Sequence, residues 1–97
     1  DDEVISRVKP YIADFDEVVR FTAIEGLGSR DPAKIGDLMI DALVRPEEES
    51  GRIRRTIVEV LERRKVPLGA RAAQVTAMLT GPLAEDFKVE AGVVKKK

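Results

Sequence analysis

Cysteine, histidine and tryptophan are all missing from this chain of 97 residues. Without cysteine there are no disulfides and no thiolate metal sites, and nothing marks an oxidising compartment. Without histidine as well, nucleophilic catalysis of the Ser–His or Cys–His kind is excluded within the chain. A zinc site would have to use carboxylates alone, which is unusual for this metal. We therefore expect neither a metal nor another cofactor.

Long apolar runs and an excess of charge of either sign are also lacking. No stretch approaches the length of a membrane span, and no signal peptide opens the chain. The net charge is −1 although 36% of the residues are charged, so the global charge does not favour nucleic acid or an anionic membrane. We expect a cytoplasmic protein with no membrane partner. Because the chain starts at Asp1 rather than methionine, we also expect it to be a piece of something longer.

What the sequence does contain is an apolar pattern at helical spacing within residues 14–28. Val19, Ala23 and Leu27 fall at i, i+4 and i+8, which is one stripe of a helix. Gly28 follows the stripe directly, and glycine is typical of a C-terminal helix stop. The pattern predicts a helix over 16–28.

Carboxylates precede this predicted helix. Asp14 and Asp16 can accept hydrogen bonds from the free N–H groups of its first turn and lie at the positive end of its dipole. Asp14 with Glu17 has the spacing of a capping box. Asp14 and Asp16 are also the only clustered carboxylates on a defined element that acid–base hydrolysis would use. Because capping explains their spacing, we predict that the chain is not an enzyme.

A repeat of 34 residues is centred on the same stretch, since Arg54 lies 34 residues after Arg20. At this offset Val19 matches Ile53, Ile24 matches Val58, Glu25 matches Glu59, Leu27 matches Leu61, Asp14 matches Glu48, and Asp16 matches Ser50. A repeat near this length is typical of stacked helical hairpins.

The pattern Asp14-x-Asp16-x-x-Val19-Arg20-x-x-Ala23-x-x-x-Leu27-Gly28, followed by Asp31-Pro32-Ala33, resembles the second helix of a HEAT repeat and the start of the next repeat. The resemblance covers roughly residues 3 to 80. It is strongest in the first repeat, because in the second Ile57 replaces the usual alanine and Ser50 replaces the turn aspartate. The resemblance implies that Asp16 with Arg20 forms hydrogen bonds between successive repeats and that Arg54 does so in repeat two. The implied structural set is Asp14, Asp16, Arg20 and Arg54.

We predict an all-α fold, a short right-handed α-solenoid of two HEAT-like helical hairpins plus a C-terminal cap helix, in a single domain over 1–97. The predicted segments are repeat one (3–29), repeat two (31–65), the cap helix (68–80) and a tail (81–97). Helices within the repeats are expected at 3–13, 16–28, 32–45 and 52–64. Pro10 should kink or divide the first of these helices, and a shorter helix ending near Lys9 is the alternative. An irregular five-helix bundle is the alternative fold.

Two segments allow two interpretations each. In the tail, residues 87–89 alternate and 93–95 could return after a turn, which predicts a small hairpin lying against the helices; an irregular tail is the favoured alternative. The acidic turn Glu47 to Glu49 could hold a divalent cation. We favour a solvated loop there, because a cation needs ligands that converge from fixed positions.

The second helices of the repeats are expected to line the binding face. The positions pointing away from the core stripe are Val18, Phe21, Glu25, Arg52, Arg55 and Glu59. They run from an apolar patch to a charged patch, which suits an anchor with electrostatic steering. We therefore predict a scaffold or adaptor that binds another protein, or adjacent segments of its own parent chain. Alternatively, Phe21 packs against the kinked first helix or a missing repeat.

Two other functions remain as alternatives. Some HEAT-like families bind DNA through basic helices, and residues 52–65 are rich in arginine. Glu59 and Glu62 interrupt this positive surface, and no aromatic residue is interleaved for base stacking. Some HEAT-like families act as lyases on chromophore-carrying proteins, so an enzyme accessory domain is a remote alternative, although none of their catalytic features is matched.

Overall fold

The fold is mainly α-helical and ends in a small antiparallel sheet. The computed structural model describes residues 1–97. Its elements are α1 (Asp2–Val8), α2 (Glu17–Leu27), α3 (Pro32–Val44), α4 (Gly51–Arg63), α5 (Ala72–Met78), α6 (Pro82–Asp86), β1 (Phe87–Glu90) and β2 (Val93–Lys96), with 3₁₀ segments at Lys9–Ala13 and Gly69–Arg71. The predicted helical class is confirmed for most of the chain, but the strands make the term all-α wrong for its end. No helix combines the length and the apolar character needed to cross a membrane.

The first helical segment divides near Pro10, as predicted. The α-helix ends at Val8, and the chain continues as the 3₁₀ segment Lys9–Ala13. Proline has no N–H to donate and its ring clashes with the preceding turn, so an α-helix cannot continue through it without loss. We call α1, this 3₁₀ segment and α2 hairpin one, and we call α3 with α4 hairpin two.

Each long helix begins at a side-chain cap. Asp16 Oδ1 accepts hydrogen bonds from two first-turn N–H groups of α2, at 2.8 and 3.3 Å. Asp31 and Ser50 cap α3 and α4 in the same way. Residues of this type are favoured there because the first N–H groups of a helix have no partner within it.

The predicted capping box at Asp14 is wrong. Asp14 Oδ1 accepts the N–H of Asp16 at 2.9 Å, which shapes the turn ahead of the helix. Asp16 is the cap, and Glu17 does not reach back to close a box. Its carboxylate instead accepts from the hydroxyl of Ser50 at 2.8 Å, because hairpin two lies within reach.

The two hairpins lie side by side with like elements in contact. Helix α2 packs on α4, and the Lys9–Ala13 segment packs on α3. On the far side of hairpin two, α5 packs against α3 and β2 against α4. The side chains with no exposed surface are Ile24, Leu27, Ile35, Met39, Leu43, Ile57, Val58, Leu61 and Val75.

Gly28 follows the last residue of α2 as its C-cap, as expected, and it also allows close packing. Its φ of −61° is ordinary for a right-handed helix, so the position does not need glycine for its backbone. A Cβ atom at this position would lie 2.9 Å from Cγ2 of Val60. The two hairpins can therefore approach this closely only because residue 28 has no side chain.

The C-terminal part differs from the prediction in length and order. The predicted cap helix over 68–80 is shorter, since α5 covers only Ala72–Met78, and α6 was not predicted. The hairpin interpretation is confirmed and the irregular tail is wrong. Strands β1 and β2 pair around a two-residue loop, Ala91 and Gly92, in which both φ angles are positive, as in a type I′ turn.

Candidate functional site

The main polar link between the hairpins is a buried ion pair. Arg20 Nε and Nη2 donate to the two carboxylate oxygens of Glu48 at 2.8 and 3.0 Å. Arg20 Nη1 also donates to the carbonyls of Asp14 and Phe15, both at 3.0 Å. Glu48 is only 2% exposed, so this pair lies in a region that largely excludes water. Arg20 thus links hairpin one to hairpin two through Glu48, whereas Asp16 caps its own helix.

The surroundings of Glu48 keep it ionised. Burial by itself would raise the pKa of this carboxyl, because a low dielectric disfavours charge. The hydrogen bonds from Arg20 and from the N–H of Ser50, with the charges of Arg20 and Arg45, outweigh burial and lower the pKa below its ordinary value. The solvated-loop interpretation of Glu47 to Glu49 is thus wrong for Glu48, although its two neighbours are exposed. No cluster of carboxylates in the chain could hold a metal ion.

Arg54 lacks the acidic partner that Arg20 has. Its Nη2 donates to the carbonyl of Arg45 at 3.3 Å, and its buried Nε has no acceptor. The residue 34 positions after Glu48 is Pro82, which has no carboxylate to bind Arg54. Arg54 consequently reaches only within hairpin two.

The predicted face on the second helices is divided into separate contacts. The guanidinium of Arg52 lies 3.8 Å above the ring of Phe21, which is half-buried against the core. Arg52 also donates to both oxygens of Glu17, at 2.8 and 3.2 Å. These hydrogen bonds lower the pKa of Glu17. Phe21 is therefore covered by an arginine rather than free to act as an anchor.

The charged end of that face is also paired internally. Arg55 forms an ion pair with Asp86, and its Nε lies 3.6 Å from Glu59. Its guanidinium lies 5.5 Å from the centre of the Phe87 ring. Sequence reasoning missed Asp86 because it belongs to a short helix that only the packing of the tail brings to α4. Glu25, by contrast, is exposed.

Val18 belongs to a different surface, an apolar groove of about 440 Å³ in hairpin one. The residues that line the groove are Val8, Tyr11, Val18, Val19, Thr22, Ala23 and Gly26. None of them comes from hairpin two, so the groove is open on the side that hairpin two leaves free. Sequence reasoning missed Tyr11, because it lies on the 3₁₀ segment rather than on a regular helical stripe.

Two of the three large hydrophobic side chains that remain exposed line this groove. The three are Tyr11 (51%), Phe15 (101%) and Val18 (62%). Tyr11 and Val18 line the groove, and Phe15 lies on the loop between the two segments that form it. Single exposed hydrophobic residues are ordinary, but a contiguous group marks an interaction surface.

A second cavity, also of about 440 Å³, lies beside the start of α4. Its lining residues are Gly51, Arg52, Arg54, Arg55, Met78, Thr80, Pro82 and Leu83. Two of the three arginines already pair with Glu17 and Asp86. The positive charge of this cavity is thus largely balanced within the molecule.

Comparisons with protein-family models, with curated proteins and with solved structures gave no match to this chain. The HEAT-repeat resemblance therefore remains a prediction carried by the residues quoted above.

Proposed function

We propose that this chain is a non-catalytic protein–protein interaction module that binds its partner through the apolar groove of hairpin one. Its architecture is a short α-solenoid of two HEAT-like hairpins closed at one end by α5 and the strands. The partner is another protein or an adjacent segment of a longer parent chain.

The order of contacts supports the solenoid part of this proposal. The first helical segment of each hairpin contacts that of the next layer: Lys9–Ala13 contacts α3, and α3 contacts α5. The second helices form a parallel series, in which α2 contacts α4 and α4 contacts β2. The strands thus take the position next to α4 that the second helix of a third hairpin would occupy. Each layer contacts mainly its neighbours, which is the organisation of repeat proteins.

The single observation that carries the functional proposal is that two of the chain's three exposed large hydrophobic residues, Tyr11 and Val18, line one open apolar groove. Apolar grooves of this kind accept amphipathic helices, whose apolar face replaces water along the groove. The nucleic-acid alternative has less support, because Arg52 and Arg55 are engaged by carboxylates of the same molecule.

The test is capture of partners from a lysate of the source organism by the immobilised chain and by its Val18→Asp variant. Val18 is exposed in the first turn of α2, where a new carboxylate is compatible with the helix dipole. The substitution should therefore preserve the fold while placing a charge in the groove. We expect a partner that the unmodified chain retains to be lost from the variant.

The matched control is Ala77→Asp, which places the same charge at an exposed position of α5 far along the chain from the groove. It should retain the partner. If both variants capture the same proteins as the unmodified chain, the groove is not the binding surface.

A further inference from the structure

Hairpin two contacts hairpin one through five residues, and two of their counterparts 34 positions earlier, Val18 and Gly26, line the groove. The contacts from hairpin two are Glu48 with Arg20, Ser50 and Arg52 with Glu17, Val60 with Gly28, and Arg64 Nη1 with the Gly28 carbonyl at 2.7 Å. The counterparts of these five residues in hairpin one are Asp14, Asp16, Val18, Gly26 and Arg30. None of the five makes the equivalent contact with a second hairpin in the structure.

The lining of the groove follows the same correspondence. Three of the five α2 residues that line it, Val19, Ala23 and Gly26, are the counterparts of Ile53, Ile57 and Val60. Those three residues of hairpin two are at most 2% exposed. The groove is therefore the face of hairpin one that corresponds to the stacking face of hairpin two.

Two glycines show most directly that α2 is packed on one side and open on the other. A Cβ atom at Gly28 would touch Val60 at 2.9 Å, because α4 fills the space beside it. A Cβ atom at Gly26, the counterpart of Val60, would meet nothing within 4 Å. A closely approaching backbone can thus be accommodated beside Gly26.

The ends of the groove define the charge and direction of what would fit. At the start of α2, Asp14 occupies the place from which Glu48 binds an arginine of the adjacent hairpin. At the other end, Arg30 occupies the place from which Arg64 binds a helix-terminal carbonyl. The Nε of Arg30 is buried without an acceptor, and its Nη1 lies 3.5 Å from Asp1.

We infer that the groove binds an α-helical hairpin, stacked on hairpin one in the register in which hairpin one stacks on hairpin two. Its second helix runs parallel to α2, with a cationic side chain near Asp14 and its last carbonyls near Arg30. This inference rests on the proposed function, because it names the class of segment that the same groove binds. A second copy of the chain does not fit in this way, because the face of its hairpin two that would stack on the groove is covered by α5 and the strands.

The experiment uses the full chain with an extra copy of residues 1–34 joined ahead of Asp1, so that the probe is a hairpin of known sequence. The absence of native cysteine allows pairs of cysteines to be introduced without competing thiols. One cysteine replaces Gly28 in the extra copy, and the other is Gly26→Cys in the resident hairpin one. Mild oxidation and non-reducing electrophoresis then report the disulfide.

Two further pairs serve as controls. The pair Gly28→Cys with Val60→Cys within the resident chain reproduces an existing contact, so its disulfide shows that the extended protein is folded. The pair that uses resident Glu25→Cys instead of Gly26→Cys lies one residue away on α2 at an exposed position. It should cross-link poorly because its side chain points in another direction.

We expect the disulfide at residue 26 to form at least about tenfold faster than that at residue 25, since a disulfide also requires Cβ atoms that point toward each other. Equal rates at the two positions, or no disulfide at residue 26 while the control pair forms, would overturn the inference. Disulfides between separate molecules at residue 26 would also overturn it, in favour of a second copy. Failure here combined with partner loss in Val18→Asp would leave the proposed function standing with a different kind of ligand.

Discussion

At the scale of single residues, the Arg20–Glu48 pair shows how one side chain can organise two loops. Arg20 donates four hydrogen bonds, two to Glu48 and two to the backbone carbonyls that precede α2. Glu48 also accepts the N–H of Ser50 at 3.1 Å, next to the cap of α4. The pair thus fixes the entrances of both second helices relative to each other, which sets the register of the two hairpins.

Replacement of Glu48 should therefore be costly. We expect Glu48→Gln to lower the free energy of unfolding by about 2–3 kcal/mol, because it leaves the largely buried Arg20 without its hydrogen-bonded counter-charge. Urea denaturation followed by circular dichroism measures this loss. The control Glu47→Gln removes an exposed carboxylate from the same loop and should change stability by less than about 0.5 kcal/mol. Equal effects of the two substitutions would contradict the assigned role of Glu48.

The same pair predicts how stability depends on pH. The folded state lowers the pKa of Glu48 below its ordinary value of 4.5, so its contribution is present above that value. The contribution is lost as the pH falls through the lower, folded pKa. The stability gap between the unmodified chain and Glu48→Gln should accordingly narrow from neutral pH to about pH 3, as urea midpoints at the two pH values would show. If the stability difference between the two proteins instead increased on acidification, the pKa of Glu48 would not be lowered by folding.

Sequence reasoning was only partly successful at this scale. Arg20 was recognised as a link between hairpins, but Asp16 was given the role that Glu48 performs. Both carboxylates lie near a helix start, and local sequence shows only that each can cap a helix. Which carboxylate reaches Arg20 depends on the approach of two segments separated by 28 residues.

At the scale of elements, the second helices are held together closely at one end. Gly28 allows Val60 of α4 to approach the end of α2 at a distance that no side chain would permit. The hydrogen bond from Arg64 to the Gly28 carbonyl lies at the same place. Close packing and the polar contact therefore support each other.

A pair of glycine substitutions should have opposite effects on stability. Gly28→Ala forces Val60 or the helices apart and should destabilise the chain by about 1–3 kcal/mol. Gly26→Ala lies in the open groove within the same helix and should stabilise the chain by up to about 1 kcal/mol, the difference in helix propensity. Thermal unfolding of the two variants measures both signs. Destabilisation by Gly26→Ala as large as that by Gly28→Ala would be inconsistent with the packing described here.

The elements themselves were largely predictable. The periodic apolar residues and the caps Asp16, Asp31 and Ser50 place α2, α3 and α4 within one residue or so of their observed bounds. The last helix was predicted too long, since the alanine-rich stretch has good helix propensity but its first turn is 3₁₀ and begins at Gly69 with a positive φ. The short helix α6 has too few residues to produce a periodic signal.

At the scale of the whole molecule, the two sides of the helical body are unlike. On the C-terminal side, β1 and β2 bury Phe87 and Val94 against the helices, and so cover hairpin two. On the other side, hairpin one leaves Tyr11 and Val18 exposed beside an open groove. This asymmetry is the physical basis for proposing that binding occurs at hairpin one.

The partner-binding residues remain a prediction. Of the residues expected on one face, Val18 lines the groove, whereas Phe21, Arg52 and Arg55 are engaged with other residues of the molecule. Helical wheels identify which residues point away from the core stripe, but they do not show which of these residues pair with each other after packing. Tyr11 joins the groove only because Pro10 changes the path of the first helical segment.

The most direct test of the central claim is photo-cross-linking in cells of the source organism. A photoreactive phenylalanine analogue would replace either Tyr11 in the groove or Ala77 on exposed α5, and adducts would be identified by mass spectrometry. The account predicts a discrete protein adduct from position 11 that is absent from position 77. The same adducts from both positions, or none from position 11, would contradict the claim that the groove of hairpin one is the surface on which this module binds its partner.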